Sequence, residues 1–292
     1  MSKKAVALGN FDGMHLGHTA VLDTALEAAG NGMTPCTLLF SEHSEKSLKG
    51  FAPPMLMTDE ERRRIITEKG FQIKEINFSE ICAFSPEKFV AEILRDRMNA
   101  GAVVCGYNYR FGKNAAGDAE TLKTLCSENG IECCTVDKVT VDGADVSSTA
   151  IRNLIENGEI RLANRMLGRS FGFSAVIIHG DRRGSQYGFP TANQRVPDGF
   201  VMPKFGVYAS EITVDGITYS GITNIGKRPT VGTDVVLSET NILNFSGDIY
   251  GKTADLRLIS FIRPEKKFSS FDELAEQIKA DTAEAKGCAE NV

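Results

Sequence analysis

Two of the chain's four histidines, His15 and His18, stand three residues apart in the stretch GNFDGMHLGH (9–18). An apolar run, Val6 to Leu8, precedes them, and Leu22, Ala25, Leu26 and Ala29 then recur at helical spacing. This pattern predicts a strand, a glycine-rich turn and a helix over 16–29. His-x-x-His at a helix start places both imidazoles on one face, about one turn apart. Free backbone N–H groups and the positive end of the helix dipole point the same way. Gly13 and Gly17 let a polyphosphate approach the backbone. Imidazoles there can donate hydrogen bonds to phosphate oxygens as charge builds in a transition state. Nothing in the stretch has the look of a covalent nucleophile. The plainer alternative is a capped helix with two incidental histidines.

A second group lies in HGDRRGSQYGFPTAN (179–193). Gly180, Gly184 and Gly188 fall at four-residue intervals, and such a loop can wrap phosphates with backbone N–H groups. Asp181, Arg182, Arg183 and Pro190 belong to the same run, and the arginines add cationic charge. On glycine spacing alone a bulged hairpin explains the loop equally well. Thr191 and Asn193 sharpen the reading. Two residues apart, they share one side of an extended segment, and both carry oxygen ligands of the kind Mg²⁺ accepts alongside water and phosphate.

The first half alternates strand-like and helix-like stretches. KAVALGN, PCTLLF (35–40), AVVCG (102–106) and IECCTV (131–136) read as strands. Residues 58–70, 86–98 and 119–130 read as helices. That alternation predicts a parallel, doubly wound α/β sheet, in which ligands sit beyond the carboxyl ends of the strands. After about residue 170 short strands follow one another without helices, and Asp215-Gly216 is a strong hairpin signal. These strands predict a small barrel or sandwich. One amphipathic helix, SFDELAEQIKADTAEAK, closes the chain, with Ser270 and Glu273 as its capping box. The domain boundary is expected near 168–172, giving domains 1–168 and 169–292.

The 292 residues suffice for two domains. A net charge of -5 argues against bulk nucleic-acid binding. The cluster EERRR (60–64) reads as a solvated helix face. No apolar run approaches the ~18 residues of a membrane span, and the N-terminus lacks a signal peptide's apolar core. Seven cysteines with no C-x-x-C spacing read as reduced core thiols in the cytoplasm, without a structural zinc site.

GNFDGMHLGH resembles the signature of the HxGH nucleotidyltransferases, specifically of bacterial FAD synthetases. GYNYRFGKNAAGD (106–118) and SSTAIRNLI (147–155) resemble two further motifs of that family. The resemblance implies that Gly9, Asn10, Phe11, Asp12, Gly13, His15, His18, His43, Asn108, Arg110, Ser147, Ser148, Thr149 and Arg152 bind the nucleotide, with His15 and His18 catalytic. Glu42 and Ser44 stand where the family has prolines, and Asn108 where it has an aspartate.

From Leu167 onward the chain resembles riboflavin kinases, in LGRSFGFSAVIIHGDRRGSQYGFPTAN, FGVYASEI, ITNIGKRPT, SETNILNFSGDIYGK and FIRPEKKF. This implies a small antiparallel β-barrel with a C-terminal helix, beside a Rossmann-like parallel sheet. Gly180, Asp181, Arg183, Gly184, Gly188, Pro190, Thr191 and Asn193 would bind ATP, and Thr191 and Asn193 would hold Mg²⁺. Glu239 would be the general base on the ribityl hydroxyl, and Arg263 would flank the flavin. Asn241 and Asn244 replace a common histidine and aspartate.

Together the motifs imply phosphorylation of riboflavin to FMN by ATP, then adenylylation of FMN to FAD with release of pyrophosphate. The partners implied are ATP, riboflavin and FMN, with no nucleic acid or membrane; a homo-oligomer is compatible with the sequence. Two alternatives stand beside this reading: a kinase with a degenerate nucleotidyltransferase half, and a flavin-binding regulator without turnover.

Overall fold

The structure is a computed structural model that describes residues 2–30, 32–40, 52–179, 191–230 and 233–289. Backbone contacts divide the chain into two compact units. The first takes Met1–Pro53 and Asp59–Ser148, the second Pro54–Thr58 and Thr149–Val292.

The first unit is built on five parallel strands, β1 (Lys4–Leu8), β2 (Thr34–Phe40), β3 (Gln72–Ile76), β4 (Ala100–Gly106) and β5 (Glu132–Val136), in the order β3-β2-β1-β4-β5. Helix α1 (Leu16–Ala29) follows β1 over the residues its periodicity predicts. Helices α2 (Asp59–Glu68), α3 (Phe78–Ile81) and α4 (Pro86–Lys88) come next, the last running on into a π-helical stretch, Phe89–Arg97; α5 (Ala119–Glu128) precedes β5. Alternation along β1 sends side chains to both faces. Ala5 packs with Ala29 and Ala102 on one side, while Val6 and Leu8 join Ile93, Leu94, Val103 and Leu122 on the other. Burial on both faces explains why β1 and β4 are short unbroken apolar runs. A two-stranded ribbon, β6 (Thr140–Val141) and β7 (Ala144–Asp145), ends this half.

The second unit begins with helices α6 (Ser148–Asn157, whose first residue belongs to the first unit) and α7 (Ile160–Leu167). Six antiparallel strands then close a barrel: β8 (Phe171–Ile178), β9 (Thr191–Arg195), β10 (Gly206–Val214), β11 (Ile217–Thr230), β12 (Thr233–Ile242) and β13 (Thr253–Arg263), in the order β10-β11-β12-β9-β8-β13. The hairpin between β10 and β11 turns at Asp215 and Gly216, both at positive φ (51° and 79°), as the favoured two-residue turn requires. The sequence leaves barrel and sandwich open; the closed ladder settles it as a barrel. Helix α8 (Phe271–Ala289) ends the unit. Ser270 Oγ accepts the Glu273 N–H at 3.2 Å, as the capping pattern predicts, but the Glu273 carboxylate reaches back to Ser269 rather than Ser270.

Inside the barrel Phe171, Phe173, Ile177, Tyr208, Ile212, Leu256 and Leu258 are buried. Ser210, Thr223 and Thr240 form a hydroxyl chain among them, with links of 2.7 and 2.8 Å. Each hydroxyl finds a partner, so the buried polar atoms are satisfied. The opposite face of β10 and β11 presents Val207, Ala209 and Ile222, which pack against Ala285 of α8.

Candidate active sites

In the first unit the turn after β1 is wound tightly. Phe11, Gly13 and Met14 have φ of 52°, 79° and 39°. Two non-glycine residues in the left-handed region within one short turn are the kind of backbone strain that collects at working sites. The turn buries the Phe11 ring and keeps Asp12 and His15 under cover. It delivers His15 to the cap of α1, where Nδ1 accepts the backbone N–H of His18 at 3.2 Å. The two imidazoles stack with centroids 3.7 Å apart, and Phe11 meets His18 edge-on at 5.4 Å. A side-chain carbon at Gly17 would lie 3.2 Å from the His15 ring, so a residue without one suits the stack.

Because His15 Nδ1 accepts a hydrogen bond, it carries no proton, and in the neutral ring the proton sits on Nε2. His15 is therefore arranged as a donor. The first turn of α1 holds no acidic residue, so the helix end keeps its attraction for an anion.

Other elements brace the turn. Ser148 Oγ donates to the Asp12 carbonyl at 3.0 Å. Arg62 of α2 donates to the Asn10 carbonyl at 2.9 Å and pairs with Asp59. EERRR is thus more than a solvated face, since its first arginine holds the loop. The clue lay in the 3.6-residue period, which turns Arg62 away from exposed Arg64.

Gly9 and Asn10 belong to the same turn. Asn108 and Arg110 lie beyond β4, both exposed, with Arg110 3.6 Å from Asp118. Ser147 and Ser148 are half-buried and Thr149 is exposed. Arg152, one turn along α6, donates to the Pro54 carbonyl at 2.6 Å. His43, with Glu42 and Ser44, lies outside the described residues.

In the barrel the functional candidates share the outer wall. Antiparallel register sets Asn193 of β9 opposite Glu239 of β12, and Glu239 opposite Asn224 of β11. Thr191 sits opposite Asn241. Directly opposed residues on one face have Cβ atoms about 5 Å apart. The intervening Thr240 and Ala192 point into the core. Strand alternation therefore brings Thr191, Asn193 and Glu239 together on one surface.

Asn193 is buried, its amide nitrogen 3.2 Å from the Thr191 carbonyl and 3.4 Å from Thr191 Oγ1. Its Oδ1 is buried without a hydrogen-bond partner among the described residues. An orphaned carbonyl oxygen beside a threonine hydroxyl is the donor set a small hard cation takes, so these residues fit Mg²⁺.

Arg263, at the end of β13, is clamped by Asp281 of α8, with Nε and Nη2 at 3.0 and 2.8 Å from the carboxylate. Asp281 is buried, and Gln277 donates to it at 2.9 Å. Such a bidentate pair fixes both groups. Gly180, Asp181, Arg183, Gly184, Gly188 and Pro190 lie outside the described residues.

Two family models match the chain: FAD synthetase over residues 1–150 and riboflavin kinase over 167–289. Curated relatives named bifunctional riboflavin kinase/FMN adenylyltransferase match nearly end to end. The Bacillus subtilis protein is 35% identical, covering 97% of this chain and 92% of that protein. The Listeria monocytogenes protein is 37% identical, over 95% and 90%. The Escherichia coli K12 protein is 32% identical, over 96% and 91%.

A crystal structure described as a macrolide-efflux protein from Streptococcus pneumoniae superimposes with a TM-score of 0.89 at 30% identity, covering 98% of this chain and 94% of that one. Among the described residues of the present chain, no helix is long and apolar enough to cross a membrane. The chain phosphorylates riboflavin to FMN and adenylylates FMN to FAD; it belongs to the bifunctional riboflavin kinase/FMN adenylyltransferase family.

Proposed function

We propose that the two reactions are divided between the sites described, with Glu239, Asn193 and Thr191 serving phosphorylation and His15 and His18 serving adenylylation. The observation that carries the kinase assignment is the register Asn193–Glu239. It sets a carboxylate one strand away from an orphaned amide oxygen. Thr191 and Asn193 would hold Mg²⁺, which when bound would neutralise charge on the ATP phosphates. Glu239 accepts the proton of the ribityl 5′-hydroxyl as that oxygen becomes nucleophilic. Arg263, held by Asp281, borders the flavin end of the same wall.

In the other unit the FMN phosphate attacks the α-phosphorus of ATP in line, so positioning and charge neutralisation carry the step. His15 supplies its Nε2–H and His18 a second imidazole beside the helix end. Gly9 to Gly13, Asn108, Arg110, Ser147 and Ser148 complete the nucleotide contacts of this unit in this reading, with His43. The division of labour falls between residues 1–168 and 169–292. The absence of a spanning helix from the described residues and six free cysteines there support a cytoplasmic enzyme. It would work as a monomer or a homo-oligomer.

The test uses the full chain with Asn193→Ala. Riboflavin, ATP and Mg²⁺ are supplied in one assay, FMN and ATP in another, and products are resolved by chromatography. FMN formation is expected to collapse while FAD formation from supplied FMN continues. A fall in both, in folded protein, overturns the assignment.

A further inference from the structure

Glu239 has a second lateral neighbour on the outer wall. Asn224 stands opposite it on β11, and the row continues through Val207 of β10, Asn224's partner at the next strand, to Arg263 of β13. One row thus reads Asn193, Glu239, Asn224, Val207, Arg263, with successive strands about 4.8 Å apart. In-line phosphoryl transfer puts donor and acceptor on opposite sides of the phosphorus. If the phosphates lie at Asn193 and the 5′-hydroxyl at Glu239, the rest of the acceptor extends away from Asn193, over Asn224.

Asn224 is built to be held still there. Its amide nitrogen donates to Glu265 Oε1 at 3.3 Å. Glu265 follows β13 and lies across Gly226, where any side chain would collide with its carboxylate. One of the two amide N–H groups is used by Glu265, leaving one donor and an acceptor oxygen in the asparagine's inventory. That complement suits a hydroxyl, which both donates and accepts. An extended ribityl chain is about as long as one strand spacing, so its internal hydroxyls reach Asn224 while its end stays at Glu239.

We propose that Asn224, oriented by Glu265, hydrogen-bonds an internal hydroxyl of the ribityl chain and thereby selects a polyol-bearing flavin. This rests on the reading of Glu239 as the base at the chain's end. A site that hydrogen-bonds a hydroxyl discriminates against the analogue lacking it, because its polar group is then left unpaired.

The experiment compares riboflavin with a flavin carrying a 5-hydroxypentyl chain, which keeps the terminal hydroxyl and lacks the internal ones. The enzyme should prefer riboflavin in kcat/KM by about tenfold or more. Asn224→Ala should collapse that ratio toward one, with the loss on riboflavin and not on the KM for ATP. Glu265→Gln should reduce the ratio less, since an amide still accepts the Asn224 N–H. Adenylylation of supplied FMN by the same preparation reports folding. Equal losses on both flavins, or an unchanged ratio, overturn the proposal. Glu239→Gln, run alongside, should lower turnover of both flavins; its failure to do so overturns the base reading and leaves the ratio at Asn224 to be judged separately.

Discussion

His15 caps the helix that carries His18, and the two rings lie 3.7 Å apart at an interplanar angle of 15°. Two stacked imidazolium ions at that separation would repel. Protonation of His15 at Nδ1 would also break its cap. In the proposed reading, structure and chemistry are thus joined in one residue and separable by substitution.

His15→Asn is expected to keep a cap and lose the imidazole donor, whereas His15→Ala loses both. The cap is worth roughly 0.5–2 kcal/mol, which should appear as a lower melting temperature for the alanine variant. Both variants, and His18→Ala, should form FAD about 10²–10³-fold more slowly, the usual effect of one lost preorganised donor. FMN formation should persist. Thermal melts with chromatographic assays check this; parallel loss of both activities in folded protein contradicts the two-site reading.

Glu239→Gln keeps shape and reach but cannot take the hydroxyl proton. Removing a general base costs about 10²–10⁴ in rate, and the loss should fall on kcat for FMN formation. Thr191→Ala should instead respond in part to raised Mg²⁺ or ATP. Steady-state kinetics across a Mg²⁺ series separates the two, and rescue of Glu239→Gln by Mg²⁺ would count against a base.

Helix α7 belongs with the barrel by packing. Asn164 donates to the Leu258 carbonyl at 2.9 Å and accepts the Phe171 N–H at 2.8 Å, and Ile160, Ala163, Met166 and Leu167 are buried. A fragment of residues 149–292 is expected to be more stable than one of 169–292, which leaves that carbonyl and N–H without Asn164 and uncovers apolar surface. Urea titrations of the two fragments measure it. Equal midpoints would show that α7 contributes nothing to the barrel.

The thiols of the first unit should react unequally. A hydrogen bond from Cys126 holds the Cys133 thiol below its usual range, while burial pushes Cys105 up to about 12. Thiolate is the nucleophile, so iodoacetamide at pH 8 should label half-buried Cys133 well before Cys105. Peptide mass spectrometry over time gives the order, and faster labelling of Cys105 would refute it.

Acid should reach α8 late. Hydrogen bonds from the Ser269 backbone and the neighbouring Lys266 lower the Glu273 carboxyl to about 2. A depressed folded value means the cap is present above the ordinary carboxylate range and is lost as pH falls from about 4.5 toward 2. Carboxyl-resolved NMR titration checks the value, and an unshifted Glu273 would mean the cap does not form in solution.

What could be read beforehand followed from local pattern. The strand, turn and helix around GNFDGMHLGH are fixed by an apolar run, glycines and a 3.6-residue period, all within one short segment. The hairpin at Asp215-Gly216 is likewise local. Strand β3 escapes such reading because QIKEI sits at a sheet edge with most of its side chains exposed, so it has no apolar run. Asn224 lies in the stretch ITNIGKRPT, but the role proposed for it depends on which residue faces it two strands from Asn193, and register is a long-range property. The grouping of α6 and α7 with the barrel was hidden for the same reason. Their amphipathic spacing shows that a face is buried, not which partner buries it.

Met55 forms a parallel bridge with Phe200, its N–H reaching the Gly199 carbonyl at 2.7 Å and its carbonyl receiving the Val201 N–H at 2.8 Å. Leu56 and Met57 beside it are buried. On the ribosome this segment emerges long before its partners. At ordinary synthesis rates of about 5–20 residues per second, it waits on the order of ten seconds for Gly199 to Val201 to appear. During that interval the backbone of Met55 has neither of these partners. Slowing translation between Thr58 and Gly199 should lengthen the time for which the nascent chain holds this segment without them.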